Sequence, residues 1–200
     1  MMLSLVALSM MAVCLSSPAQ DVTHVDASTP RELQVRIAKL AAPREITERA
    51  DIYVLGKHGY ELAEPGDSGF SCLIEREKPD TMEPECYDLE GTRTTLKVRF
   101  YQEQQRATGV SEQEIQQSVK AGYESGKFKP PSKAGIVYML SDYNYVLNPE
   151  TGKVIHFPGH LMFYAPYATE KTVGSGAGAP YIVHPGQPDA LMIVVPANHH

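Results

Sequence analysis

The chain has 200 residues and a formal net charge of −6, from 18 basic and 24 acidic side chains. The basic side chains are scattered among acidic ones, which argues against nucleic acid or an anionic membrane surface as a partner. With 15 Gly, 15 Pro and no Trp, the composition favours a loop-rich domain over a helical bundle.

The N-terminal segment is apolar from residue 1 to residue 14, and no charged side chain appears before Asp21. The small residues Ser17 and Ala19 stand at the −3 and −1 positions of a cut after Ala19, which is typical of a secretory signal peptide. We therefore predict a signal peptide over residues 1–19 and an exported mature chain, either periplasmic or secreted. The apolar run is shorter than the ~20 residues that a bilayer requires, so we predict no membrane span after signal removal.

Two other interpretations of this segment stay open. In the first, the protein is a lipoprotein cut before Cys14, although Val13 is bulkier than the residue that usually precedes such a cysteine. In the second, the apolar run is a buried core helix of a cytosolic protein, which its length also allows.

The mature chain is long enough for one domain with a hydrophobic core. Its first residues, 20–29, are polar and are predicted to be disordered. The spacing of Leu33, Ile37 and Leu40 predicts a helix over residues 30–41, with one or two further turns in residues 44–50. Apolar alternation then predicts three strands in an antiparallel meander, at residues 51–55, 60–63 and 70–74.

Two amphipathic helices are predicted in the middle of the chain. The first covers residues 92–106, and the second begins at a capping box formed by Ser111 and Glu114 and ends at Gly126. This order of helix, strands, helices and strands predicts a single α+β domain over residues 20–200, with an antiparallel sheet and helices packed on one face. The strands of the last third are predicted at residues 134–140, 143–147, 153–156, 160–164, 181–183 and 191–195.

Two cysteines, Cys72 and Cys86, remain after the signal peptide. An even pair in an oxidising compartment predicts one disulfide, worth about 3 kcal/mol in the chain-entropy model. The charged run of residues 75–78 between them is predicted to be solvated. A redox-active or metal-binding pair is the alternative, but neither a C-x-x-C motif nor histidine at a fixed spacing accompanies these cysteines.

Four short patterns carry a resemblance to a known family. They are Gly69-Phe70-x-Cys72-Leu73-Ile74-x-Arg76, Pro84-x-Cys86, Tyr138-Met139-Leu140-Ser141 and His160-Leu161-Met162-Phe163-Tyr164-x-Pro166. Through them the chain, from Asp51 to Pro196, resembles a family of exported bacterial proteins with no assigned activity. The resemblance implies an exported protein of one domain and nothing about its chemistry. The family tends to have a His-Pro-His run before the Leu-Met-Phe element, where this chain has His156-Phe157-Pro158-Gly159-His160.

Three histidines near strand ends are the candidate metal ligands: His156, His160 and His184. The spacing of His156 and His160 would suit zinc on a helix, but Pro158 and Gly159 between them exclude that helix. If neighbouring strands bring the three imidazoles together, they would suit Zn²⁺ or Cu²⁺. No other cofactor is indicated, and histidines that only form hydrogen bonds at turn edges are the alternative.

Tyrosines crowd the last third of the chain, and aromatic faces with polar tips suit a small-molecule pocket. Core packing and cross-strand pairs explain them as well. The candidate pocket residues are Tyr138, Ser141, Asp142, His160 and Tyr164. No motif of nucleophilic catalysis surrounds Ser141, so no catalytic residue is predicted.

The predicted functional surface combines residues 138–142, residues 160–166 and the glycine-rich loop 172–179, because binding sites often join a rigid scaffold to an adaptable loop. Two functions from different classes remain. The first is an exported, periplasmic, non-enzymatic accessory protein that binds a small molecule or an exported protein. The second is a metal-assisted enzyme that uses the strand-end histidines.

Overall fold

The structure is a computed structural model that describes residues 23–76, 81–148, 150–176 and 178–194. The predicted signal peptide, residues 1–19, lies outside the described residues. The described helices are α1 (Arg31–Ala38), α2 (Arg44–Thr47), α3 (Leu89–Arg93), α4 (Thr95–Ala107), α5 (Glu112–Glu124) and α6 (Glu170–Val173). The described strands are β1 (Asp51–Gly56), β2 (Gly59–Glu64), β3 (Ser71–Glu75), β4 (Glu83–Tyr87), β5 (Ile136–Met139), β6 (Tyr145–Leu147), β7 (Val154–His156), β8 (His160–Tyr164), β9 (Tyr181–Val183) and β10 (Leu191–Val194).

Eight of these strands form one sheet in the order β2-β1-β3-β4-β5-β8-β10-β9, and β6 pairs with β7 in a separate hairpin. The described pairs are antiparallel except β1 with β3, which run parallel, so the predicted meander is wrong at β3. Strand β2 ends beside the start of β1, and the amides of Asp67 and Ser68 bond the carbonyl of Arg49 at that same end. The chain therefore begins β3 where β1 begins, and the two strands run in the same direction.

Strand β4 lies inside the sheet, between β3 and β5, where the sequence predicts only a charged loop. Pro84 stands near its start, opposite Ile74, and a proline near the start of a strand removes few ladder hydrogen bonds. Acidic residues alternate with Pro84 and Cys86 along the strand, and this alternation is what a strand requires. A search for alternating apolar residues misses this strand because Glu83 and Glu85 are charged.

Alternation along β3 divides the core between the two faces of the sheet. Cys72 and Ile74 pack in a cluster with Ile37 of α1, whereas Leu73 packs in a second cluster with Leu96 of α4. Helices therefore pack against both faces, where the sequence predicts helices on one face. The predicted α+β class, the single domain and the mostly antiparallel sheet with helices packed against it are confirmed.

The predicted disulfide is confirmed and joins two neighbouring strands. Cys72 of β3 and Cys86 of β4 are direct cross-strand partners, and their sulfur atoms are 2.01 Å apart. Both residues are fully buried beneath α1. The bridge therefore ties the two strands that carry the acidic residues of the candidate site.

The described part of the predicted disordered segment, residues 23–29, contains a turn. Asp26 Oδ1 accepts hydrogen bonds from the amides of Ser28 at 2.8 Å and Thr29 at 3.1 Å. Val25 beside this turn is fully buried in the α1 cluster. Burial of one apolar side chain thus holds a segment whose composition alone indicates disorder.

Helices α4 and α5 form a layer that reaches over one end of the sheet. Phe100 of α4 packs on Tyr53 of β1 with ring centroids 4.7 Å apart. The predicted capping box of α5 is present, with Ser111 N donating to Glu114 Oε2 at 3.2 Å. Because α4 meets the sheet on its β1–β2 side, the same face is left open further along, over β5, β8 and β10.

Candidate functional site

A cleft of about 870 Å³ lies at this opening, within the size range of small-molecule sites. Strands β5, β8 and β10 supply its floor, and side chains of α4 and α5 form one wall. The β6–β7 hairpin and the β9–β10 connection complete the lining. The apolar floor consists of Met139, Met162, Leu191 and Ile193.

Three acidic side chains of β3 and β4, Glu75, Glu83 and Glu85, also line the cleft. Glu75 is the cross-strand partner of Glu83, and Glu85 is the partner of Leu73. All three lie on the sheet face of Leu73 and Tyr87, and we call them the carboxylate cluster. Glu75 and Glu85 are only 9% and 5% exposed, which acidic side chains rarely are without specific partners.

Arg99 of α4 and Tyr87 of β4 are those partners. Arg99 Nε lies 2.7 Å from Glu75 Oε1, and both side chains are about nine-tenths buried. Tyr87 Oη donates to Glu75 Oε2 at 2.7 Å and also contacts Glu85 Oε2. Because Tyr87 has one hydroxyl proton and two carboxyl neighbours, a protonated Glu85 supplies the second proton that the network needs.

The surroundings of Glu85 favour this neutral form. Burial raises the pKa of Glu85 well above its usual range, and the charge of Glu75 raises it further, while the hydrogen bond from Tyr87 acts in the opposite direction. Like charges brought together in a buried site share protons in this way because two adjacent carboxylates repel each other. The cluster therefore stores a proton at the edge of the cleft.

This stored proton predicts a pH dependence of stability. The folded chain holds the Glu85 proton more tightly than the unfolded chain, so the free energy of unfolding falls as the pH rises above the ordinary value of 4.5. Glu85→Gln keeps the shape and the neutral state of the side chain. We expect the free energy of unfolding of this variant to increase relative to that of the wild type as the pH rises from 5 to 8. Urea unfolding at both pH values tests this, and exposed Glu61→Gln is the control. The same difference in free energy of unfolding between Glu85→Gln and the wild type at pH 5 and at pH 8 would contradict it.

Asp189, in the β9–β10 connection, faces the same guanidinium group. Its Oδ2 lies 3.7 Å from Arg99 Nη1 and 3.2 Å from His184 Nδ1. Burial acts to raise the pKa of Asp189, but the contacts with His184 and Arg99 outweigh it and lower this pKa to about 2. Asp189 is therefore charged at neutral pH, and Arg99 links α4 both to β3 and to this connection.

His160 stands on the floor of the cleft as the first residue of β8. It is 4% exposed, and its Nδ1 lies 3.0 Å from the carbonyl oxygen of Pro158. A carbonyl only accepts, so Nδ1 carries the proton and Nε2 presents a lone pair. Burial lowers the pKa of His160 despite that hydrogen bond, which keeps the imidazole neutral. Its buried Nε2 has no hydrogen-bond partner among the described residues.

The predicted pocket tyrosines lie in the core and not in the cleft. Tyr138 packs on Phe70, with ring centroids 6.3 Å apart, in the α1 cluster on the other face of the sheet. Tyr164 Oη donates to Asp88 Oδ1 at 3.1 Å. A methyl group on Gly91 would fall 1.9 Å from that hydroxyl, so Gly91 makes room for the ring.

Ser141 and Asp142 also lie outside the cleft lining. Ser141 Oγ accepts from the amide of Tyr143 at 3.0 Å, and the carbonyl of Asp142 lies 3.0 Å from His156 Nε2. Both contacts fix the turn after β5. Of the five predicted pocket residues, the structure therefore places only His160 in the cleft.

The three histidines proposed as metal ligands are not brought together. His156 contacts a backbone carbonyl. His160 and His184 both line the cleft, but His160 Nδ1 contacts the carbonyl of Pro158 and His184 lies against Asp189. Within the described ranges, no group of three His, Cys, Asp or Glu side chains is placed to hold a metal ion. The strand ends therefore give the three imidazoles different neighbours.

The predicted functional loop contributes nothing described to the cleft, since no residue of 172–176 or 178–179 lines it. Two tyrosines of the last third do stand at its edge. Tyr167 and Tyr181 line the cleft and are 58% and 62% exposed. Tyr167 also adopts a φ of +63°, which is uncommon for a residue other than glycine.

The main polar residues of the cleft, Glu75, Glu85 and Arg99, were not predicted. The sequence analysis assigns Glu75 to a solvated charge run and leaves Glu85 in a loop. One signal was present: Glu83, Glu85 and Tyr87 alternate, as three residues on one face of a strand would. That face is normally apolar at the centre of a sheet, so alternation of charged residues indicates solvent unless their partners are known.

Comparison with known proteins finds no matching family model, no matching curated protein and no matching solved structure. The resemblance to exported bacterial proteins therefore stays a prediction. In the part of the chain that the structure describes, no helix has the length and apolar character to cross a membrane. This finding and the disulfide are compatible with an exported protein.

Proposed function

We propose that this protein is an exported, non-enzymatic binding protein whose small-molecule ligand occupies the cleft. The observation that carries the proposal is an apolar floor with buried polar groups at its side, in one cavity of about 870 Å³. Ligand sites combine these two features, because apolar surface supplies affinity and a few fixed polar groups supply orientation.

The edge of the cleft supports the same function. Tyr167, Tyr181 and Ile155 line it and are exposed, at 58%, 62% and 42%. Large apolar side chains left in water beside a cavity are typical of binding surfaces. Tyrosine suits this place because its ring packs on an apolar ligand while its hydroxyl stays solvated.

Export is the second part of the proposal. It is supported by the predicted signal peptide over residues 1–19 and by the Cys72–Cys86 disulfide, since disulfides persist in oxidising compartments. A periplasmic or secreted protein of this kind would meet its ligand outside the cytoplasm.

The binding of N-phenyl-1-naphthylamine, a neutral apolar dye that fluoresces in apolar surroundings, tests the proposal. We expect the fluorescence of the dye to rise and then saturate as the wild-type protein is added. Ile193→Trp should abolish this because Ile193 lies on the floor of the cleft and a larger ring fills it.

Met192→Trp is the matched control. Met192 is the neighbouring residue of β10, is half-buried like Ile193, and does not line the cleft. Retained dye binding in Met192→Trp and loss in Ile193→Trp would support the proposal. Equal binding by both variants and the wild type would overturn it.

A further inference from the structure

A second cavity, of about 410 Å³, lies outside the cleft. It is bounded by the α3–α4 junction and by residues 127–132, which follow α5, and no residue lines both this cavity and the cleft. Four of its lining side chains are basic, namely Arg93, Lys97, Lys127 and Lys129, and we call it the basic cavity. A chain with a formal net charge of −6 thus gathers positive charge at one place.

The four basic side chains have no ion-pair partner among the described residues. One acidic side chain, Glu90, also lines the cavity. Its Oε1 accepts from the amide of Ser132 at 2.5 Å and from the amide of Lys133 at 3.3 Å, which joins α3 to the opposite wall. One carboxylate against four cations leaves the cavity positive, and like charges around one cavity repel each other until an anion binds.

Packing brings Lys127 to the face of α4 that carries Lys97. Lys127 Nζ lies 4.1 Å from the ring centroid of Tyr101. Lys97 precedes Tyr101 by four positions, a spacing at which the β carbons of a helix are about 5–6 Å apart, and helical side chains tilt toward the N-terminus, which here means toward Lys97. Buried Phe128 holds the segment in place, with its ring centroid 5.3 Å from that of Tyr101. Lys97 and Lys127 are therefore close enough to contact one small anion.

The start of α4 adds to this positive potential. A helix N-terminus carries a partial positive charge that acidic side chains in the first turn usually compensate. The first turn of α4 contains no acidic side chain, and Thr94 makes no side-chain cap. Thr94 and Lys97 both line the basic cavity, so an anion bound there lies at this end of the helix.

We propose that the basic cavity binds the phosphate groups of a small phosphorylated molecule in solution. The volume of the cavity is within the size range of small-molecule sites. A phosphate group carries about two charges at neutral pH and has three strong acceptor oxygens, so cations on opposite walls can each contact one oxygen. A single carboxylate offers only one charge and two oxygens. This second site is separate from the cleft and from the ligand proposed there.

Inorganic pyrophosphate is the probe, because it presents two phosphate groups and nothing else. Calorimetric titration of the wild-type protein in a metal-free buffer of low ionic strength should show one binding site. Tricarballylate, a flexible tricarboxylate of similar total charge, should bind at least about tenfold more weakly, because its charge is spread out and its bonds must be ordered on binding. Equal affinity for the two anions would overturn the assignment to phosphate.

The combined variant Lys97→Gln/Lys127→Gln removes two charges from the basic cavity and should weaken pyrophosphate binding at least about tenfold. Lys57→Gln/Lys171→Gln is the matched control. It removes the same charge from two lysines that do not line the cavity, and it should bind as the wild type does. All four lysines are exposed, so both combined variants should unfold in urea almost as the wild type does.

Equal weakening in the two combined variants would overturn the proposal, because it would indicate attraction to net charge alone. Absence of pyrophosphate binding to the wild type would overturn it too. Retention of the protein by vesicles of phosphatidylcholine and phosphatidic acid would in that case indicate a membrane surface as the partner of the basic cavity.

Discussion

Replacing Arg99 by Met is expected to lower the free energy of unfolding by about 3–5 kcal/mol, the cost of breaking a buried ion pair. Met is an apolar side chain of about the same length as the methylene stem of Arg99, so loss of the charge is the main change. Glu75 and Asp189 are then left buried without the cation between them. Urea unfolding at pH 7 measures the loss. It should shrink toward pH 5, because protonation removes carboxylate charge that Arg99 no longer compensates.

Arg44→Met is the control for this experiment. Arg44 pairs with Glu48 on the surface of α2, where the two side chains are 85% and 53% exposed. Exposed pairs contribute about 0–1 kcal/mol, so this variant should unfold almost as the wild type does. Equal losses for the two variants would mean that Arg99 contributes packing alone and that the cleft has no electrostatic core.

Replacing both Cys72 and Cys86 by Ala is expected to cost about 2–4 kcal/mol of stability. The bridge restricts the unfolded chain, and its loss also removes buried contacts beneath α1. Denaturation of the oxidised protein and of the double variant measures the difference. Reduction of the wild type should produce a loss of similar size, which separates the effect of the crosslink from that of the altered side chains.

A second experiment tests whether the bridge forms in the native host. Alkylation followed by mass spectrometry of protein isolated from the host should find no free thiol at Cys72 or Cys86. Two alkylated thiols in that protein would contradict both the disulfide and the export that it supports.

Sequence patterns alone located most of the secondary structure. Strands β8 and β9 were predicted at the residues that form them, and the capping box of α5 was found from Ser111 and Glu114. These features depend on neighbours within a few residues: side-chain alternation, and a hydroxyl and a carboxylate three positions apart. The disulfide was predictable because only two cysteines remain after residue 19.

Helix boundaries were less predictable because they also depend on contacts between residues that are far apart in sequence. The predicted helix over residues 92–106 is divided at Thr94, which adopts a φ of −122° and a ψ of −85° and separates α3 from α4. Asp88 caps α3 by accepting from the amide of Gly91 at 3.0 Å. Gly91 is required there by the ring of Tyr164, a contact across 73 positions that no local pattern contains.

Only the tertiary structure decided which residues meet in the cleft. A period of two indicates that Glu83, Glu85 and Tyr87 share one face of a strand. It does not indicate that this strand lies in the interior of the sheet, or that this face is covered by Arg99. Charged residues are assigned to solvent unless a partner is known, and the partner of Glu75 lies 24 positions away on a helix.

The histidines show the same division between local and distant information. The sequence by itself determined that His156, His160 and His184 stand at strand ends, and that Pro158 and Gly159 exclude a helix between the first two. Strand order and register then sent each imidazole to a different neighbour. Register is set by long-range pairing, and His160 alone of the predicted pocket residues reached the cleft.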